Sequence, residues 1–335
     1  MQKNPLEIPI SSNHLYSLAR ANQLTSYALE YSLRKIKIIP DAKAWRKIID
    51  NLLLLLGTIL VVVGIIFFFA YNWADLSYFS KFGLLQTSIL ILAIFASWRG
   101  IELLEAKVAL LATTVLLGAL LAVYGQAYQT GADAFSLFMT WAILIIPWVL
   151  LGRFAPLWLL LLVLLNLSLI LYYKQVINQS CDGICSQLFL LLFIVNGTAM
   201  LVWENIQLRN ISWLRGHWLG VIIFSIVLIV LIIPTLYAIV SKYWQNDLLL
   251  MLVVGLYVAT TALALWYYRY QRQDLLLLAV CLLGLLIVLT SLAYQLLPFD
   301  NVLNMLILAL LIIGQASLAT NWLQHVAQTW QKEAS

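Results

Sequence analysis

Residues 51–71 read NLLLLLGTILVVVGIIFFFAY, an apolar run without one charged side chain. As a helix it would rise about 1.5 Å per residue, roughly 32 Å, and the hydrocarbon core of a bilayer is about 30 Å thick. Similar runs recur outward from it at 82–98, 108–123, 135–151, 157–172, 188–203, 219–240, 248–268, 275–292 and 302–320. The whole chain agrees: 64% of its 335 residues are hydrophobic and 10% are charged. That composition excludes soluble globular, disordered, collagenous, coiled-coil and disulfide-stapled folds. The sequence therefore predicts an all-α, polytopic membrane bundle of about ten transmembrane helices.

The breaks between runs carry what a headgroup region asks for. NWADLSYFSK, YGQAYQTGAD, GRFAP, WENIQLRNISWLRGH and YRYQRQ are rich in turn formers, charges and aromatic rings. Trp73, Trp98, Trp203, Trp218, Trp244 and Trp322 stand at run ends as an interfacial belt. With the N-terminus inside, alternate segments hold 16 Lys and Arg on the cytoplasmic side; the outer side holds three, Lys81, Lys174 and Lys242. Positive charge is retained on the cytoplasmic face, so both termini are expected there. The net charge of +5 follows from this topology, and no nucleic-acid partner is needed to explain it.

Three parts follow: a cytoplasmic helical segment at 1–50, a ten-span domain at 51–322 and a cytoplasmic tail at 323–335. The first part shows no short apolar region with a cleavage site, so span one is expected to act as an uncleaved anchor. Leu15, Leu18 and Ala19, then Leu24, Ala28, Leu29 and Leu33, fall at helical spacing. PDAKAWRKIID (40–50) opens a further helical stretch expected to run into span one. This segment suits either a docking module for a membrane-protein or cytoplasmic partner, or a basic collar on anionic lipid.

Ionisable groups at membrane depth are costly and mark function. Every Asp, Glu, Lys and Arg here falls in a break or at a run end, which argues against pumps and intramembrane proteases. His14, His217 and His325 are isolated, and there is no GxSxG, Walker or strand-linked GxGxxG motif. The expectation is a non-enzymatic protein with no cofactor and no metal. Gln86, Asn166, Asn196, Thr260, Thr261, Asn304 and Gln315 lie within spans, either as hydrogen-bonding glue between helices or as the lining of a polar path.

Two outer features stand out. YGQAYQTGAD supplies Tyr124, Gln126, Tyr128, Gln129 and Asp133, while FAYNWAD supplies Asn72, Trp73 and Asp75 at the same depth. An aromatic belt accounts for the rings; a polar vestibule for a small solute or lipid headgroup accounts also for the amides, glycines and carboxylates. CDGIC (181–185) places Cys181 and Cys185 around an Asp-Gly turn in an outer loop, either as a local disulfide or as two thiols.

On PDAKAWRKIIDNLLLLLG, FAYNWADL and YGQAYQTGAD, residues 10–172 resemble the bacterial predicted-membrane-protein family catalogued as domain of unknown function 2157. The resemblance implies a polytopic inner-membrane protein and brings no activity, cofactor or catalytic residue with it. LLGALLAVYGQAYQ (116–129) also aligns with LLGLLIVLTSLAYQ (282–295) at seven of fourteen positions, with a looser echo of LLG at 55–57. Two functions fit these observations: binding or translocation of a small solute or lipid through an outward-facing vestibule, and membrane-embedded assembly through the N-terminal hairpin.

Overall fold

The computed structural model describes residues 15, 18–19, 21, 23–35, 42–71, 76–128, 131, 133–177, 184–208, 217–241, 247–296 and 302–333. All regular structure among them is helical. The helices are α1 (Ser26–Lys35), α2 (Ala42–Tyr71), α3 (Tyr78–Arg99), α4 (Leu104–Ala127), α5 (Ala134–Gly152), α6 (Ala155–Tyr172), α7 (Ser186–Leu208), α8 (His217–Ser241), α9 (Leu248–Tyr270), α10 (Leu275–Leu296) and α11 (Val302–Glu333). Ten of these, α2 to α11, are long and apolar enough to cross a membrane, and each coincides with one of the ten runs. Hydrocarbon offers no partner to a peptide group, so each crossing segment must close its own hydrogen bonds, and a helix does this.

Helix ends follow local chemistry. Asp247 caps α9 by accepting from the backbone N–H of Leu249 and Leu250 at 3.0 and 3.1 Å. Asp274 does the same for α10, accepting from Leu276 and Leu277 at 3.0 and 3.3 Å. Between α5 and α6 the chain turns on Arg153, at φ 42°, and Phe154. Pro156 then sits in the first turn of α6, where a missing N–H costs nothing. So short a connection makes α5 and α6 antiparallel neighbours.

Two helices run past the boundaries read from hydropathy. PDAKAWRKIID does continue into span one, since α2 is helical from Ala42. At the other end α11 continues to Glu333, through most of the stretch read as a tail. Residues 315–333 contain no Gly or Pro to stop a helix, and Val326, with Trp322 and Trp330 one turn to either side, packs back onto the core. α6 instead loosens at its C-terminal end into a π-helical turn, Tyr173–Ile177.

Contacts divide the chain into two units, residues 1–77 with 91–112, and residues 78–90 with 113–335. Within the first, Ala96, Ala106 and Ala109 form a small-residue seam between α3 and α4, closed at the turn by an Arg99–Glu105 ion pair. Within the second, α8 is the hub and packs on α7, α9 and α10. Phe224, Leu228 and Leu231 of α8 meet Val253 and Tyr257 of α9 and Leu277, Leu278 and Cys281 of α10. The outer faces are apolar too: Leu60, Leu263 and Leu310 are 61, 64 and 60% exposed. Such surfaces are tenable only under lipid.

The internal similarity acquires a partial structural meaning. A Cβ on Gly118 would overlap the Trp141 ring, and one on Gly284 would press on Ile232 at 3.2 Å. Gly118 thus makes room for a tryptophan ring, whereas Gly284 lies where α10 packs on α8. Gly57, in the looser third copy, faces open space.

Candidate functional site

Of the outer residues singled out in the sequence, Asn72, Trp73, Asp75 and Gln129 lie outside the described residues. Tyr124, Gln126, Tyr128 and Asp133 are all exposed. Tyr124 of α4 and Tyr128, just past the end of that helix, meet at 4.8 Å between ring centroids with their planes tilted by 44°, and each also meets Phe82 of α3, at 6.4 and 6.1 Å. This is how interfacial aromatics pack. Asp133 occupies the N-cap position of α5 but its side chain caps nothing. Gln175, in the π-helical turn, does so instead, accepting from the N–H of Phe135 at 3.2 Å. Of the cysteines, Cys185 is disulfide-bonded and Cys281 is a buried free thiol; Cys181 lies outside the described residues.

The buried amides are consumed by one another. Asn166 of α6 donates to Oδ1 of Asn196 at 3.0 Å and to the Leu162 carbonyl at 2.8 Å. Asn196 of α7 returns the bond to Asn166 at 2.6 Å and donates to the Leu192 carbonyl at 2.8 Å. Both N–H groups of both amides are spent. On the other side of the bundle Thr290 of α10 donates to Gln315 of α11 at 3.2 Å. These residues act as interhelical fasteners, each worth a fraction of a kcal/mol to about 2 kcal/mol.

The feature that hydropathy did not reveal is a cleft of about 380 Å³ between α6, α7 and α8. Its walls include Leu162 and Leu165 of α6, Ala199 and Val202 of α7, and Leu219 and Ile223 of α8. The one hydroxyl on them, that of Thr198, is turned onto the Val195 carbonyl of its own helix at 2.9 Å. Val202 is 51% exposed, so the cleft reaches the membrane-facing surface. From Trp158 near the start of α6 to Leu165 is seven residues, about 10 Å of rise. The cleft therefore occupies one half of the bilayer, at the end where α6 and α8 begin and α7 finishes.

That end is closed by a charged cluster. Glu204 in the last turns of α7 is only 9% exposed. It is ion-paired with Arg272 and accepts from the Tyr268 hydroxyl at 3.0 Å and the Tyr267 hydroxyl at 3.5 Å. The guanidinium of Arg272 also lies 5.5 Å from the centre of the Trp203 ring, and Trp203 forms part of the cleft wall. Burying a carboxylate is costly unless its lone pairs are filled, and three donors fill them here. WENIQ and YRYQRQ give Glu204 and Arg272 as charges on one side of the membrane; nothing in their spacing pairs them. Among the described residues no three of His, Cys, Asp and Glu are grouped to hold a metal ion.

Residues 18–158 match the model of a family described as "Predicted membrane protein (DUF2157)", in accord with the resemblance carried by FAYNWADL and YGQAYQTGAD. No curated protein and no solved structure matches the chain. The matched segment ends at Trp158, in the first turn of α6, so nearly all of the cleft belongs to the part of the chain beyond it.

Proposed function

We propose that this is a non-enzymatic, lipid-binding protein of the bacterial inner membrane, with both termini cytoplasmic, that takes an acyl chain into the cleft between α6, α7 and α8. The observation that carries the reading is the character of that cleft: a ligand-sized cavity whose walls are hydrocarbon and whose one hydroxyl is already bonded. An ion or polar solute entering it would lose hydration and find no charge there, only the two indole N–H groups of Trp158 and Trp203. An acyl chain loses nothing, and it gains close contact where loosely packed neighbours would otherwise stand. The amides that could have lined a polar path, Asn166 with Asn196 and Gln315 with Thr290, are bonded across helix pairs, which favours lipid over solute. The 16 to 3 distribution of Lys and Arg supports the orientation, on which the cleft opens to the cytoplasmic leaflet.

Filling the cleft tests this. Ala199→Phe places a ring in the cavity, whereas Leu201→Phe adds one at a position of α7 that is 64% exposed and outside it. Native mass spectrometry of the purified protein is expected to show a retained phospholipid in the wild type and in Leu201→Phe, and its loss in Ala199→Phe. Equal retention in both variants would remove the cleft as the site.

A further inference from the structure

Five buried side-chain polar atoms among the described residues have no hydrogen-bond partner, and two of them are the indole nitrogens of Trp158 and Trp203. Both tryptophans stand on the wall of the same cleft. Trp203 is 3% exposed, with its ring seated on Gly220, where a Cβ would overlap it. Buried donors are nearly always paired in native proteins, so two unpaired donors on one cavity wall call for an acceptor. The rest of the wall supplies none. Water is a poor candidate: bonded to either indole it accepts one proton but leaves its own two directed at hydrocarbon. The acceptor that fits has lone pairs and no protons, and arrives on an apolar chain.

The depth of the two rings narrows this further. Trp158 is in the first turn of α6, and Trp203 is level with Glu204 and Arg272 in the last turns of α7. This is the interfacial layer, where acyl chains join their headgroup through ester carbonyls. Resting on the acyl-chain reading above, we infer that the bound lipid is an ester-linked phospholipid, with a carbonyl oxygen of its acyl ester accepting from the indole N–H of Trp158 or Trp203 after a small turn of the ring toward the cleft. The fatty chain then runs along Leu162 and Leu165 toward the bilayer centre. On this inference the tryptophans read the linkage and the leucines read the chain.

Delipidated wild-type protein in detergent is offered equal amounts of a diacyl and a diether phosphatidylglycerol of matched chain length, and bound lipid is counted by native mass spectrometry. The diether lacks only the carbonyls. One to two hydrogen bonds give the diacyl lipid an advantage on the order of tenfold. Trp158→Phe keeps a ring and removes the N–H, and is expected to cut that preference severalfold; Trp203→Phe adds to the effect if the smaller ring still seats on Gly220. Equal binding of the two lipids by the wild type overturns the carbonyl inference while leaving the cleft as an acyl site. Binding of neither lipid, with Ala199→Phe indistinguishable from wild type, overturns both.

Discussion

Replacing Asn166 or Asn196 by Leu separates a fastener from a path. In the wild type each amide gives one N–H to its own helix and one to the other amide, with Asn196 fully buried. Asn166→Leu leaves Asn196 with an N–H and a carbonyl oxygen unpaired in hydrocarbon, and Asn196→Leu does the converse. An unmatched buried polar group costs about 1–3 kcal/mol. Against this, the bonds removed are worth roughly 0.6 kcal/mol on average and about 2 at most in a membrane bundle. Each single variant should therefore lose about 1–3 kcal/mol. The Leu/Leu double variant leaves nothing stranded and should lose less than the two singles together, giving a coupling energy of about 1–2 kcal/mol. Reversible unfolding in bicelles, read as a four-point cycle, measures this, and lipid retention should be unchanged in all variants that fold. If the losses simply add, or if the double variant alone abolishes lipid binding, the pair is not an isolated fastener and a polar path through α6 and α7 returns to consideration.

Two further outcomes follow from the packing. Glu204→Ala should destabilise the protein by about 3 kcal/mol, the lower end for breaking a buried pair because the Arg272 side chain is 23% exposed; a melting temperature within a degree of wild type would show that the cluster does not close the bundle. Gly118→Ala should cost about 1–3 kcal/mol, because the new methyl meets a Trp141 ring pinned by its 2.8 Å bond to the Thr114 carbonyl. Gly57→Ala, which meets nothing, should be neutral or slightly stabilising, and equal effects at the two glycines would count against the seating of the Trp141 ring on Gly118.

The fold was legible because lipid imposes one rule on every crossing segment. A run such as 219–240 has no alternative to becoming α8, and hydropathy needs no partner information to find it. Boundaries were less legible where helix-forming sequence outlasts the membrane. The stretch 323–335 is polar enough to read as a tail, but its Val326 and Trp330 follow Trp322 at one-turn spacing and find the core. That spacing was present in the sequence; what it packs against was not.

The residues legible in the sequence were those whose chemistry is in excess, and they gather in the breaks read as outer. Gln126, Tyr128 and Asp133 attract notice because polar groups are rare in such a chain; the structure leaves them exposed, with the Tyr128 ring tilted against Tyr124 and the cap of α5 supplied by Gln175. The cleft is the opposite case. Its residues are those in which the chain abounds, so no local pattern distinguishes Leu162 or Ala199 from dozens of equivalents; the gap is set by how three helices meet, which is tertiary information. What composition could have offered is a smaller signal, two tryptophans near the ends of neighbouring spans on one side of the membrane. A tryptophan at the interface ordinarily turns its N–H to water or headgroups. The N–H groups of Trp158 and Trp203 are buried without a partner, and a ring whose donor is withdrawn from water is explained by a ligand more readily than by a belt.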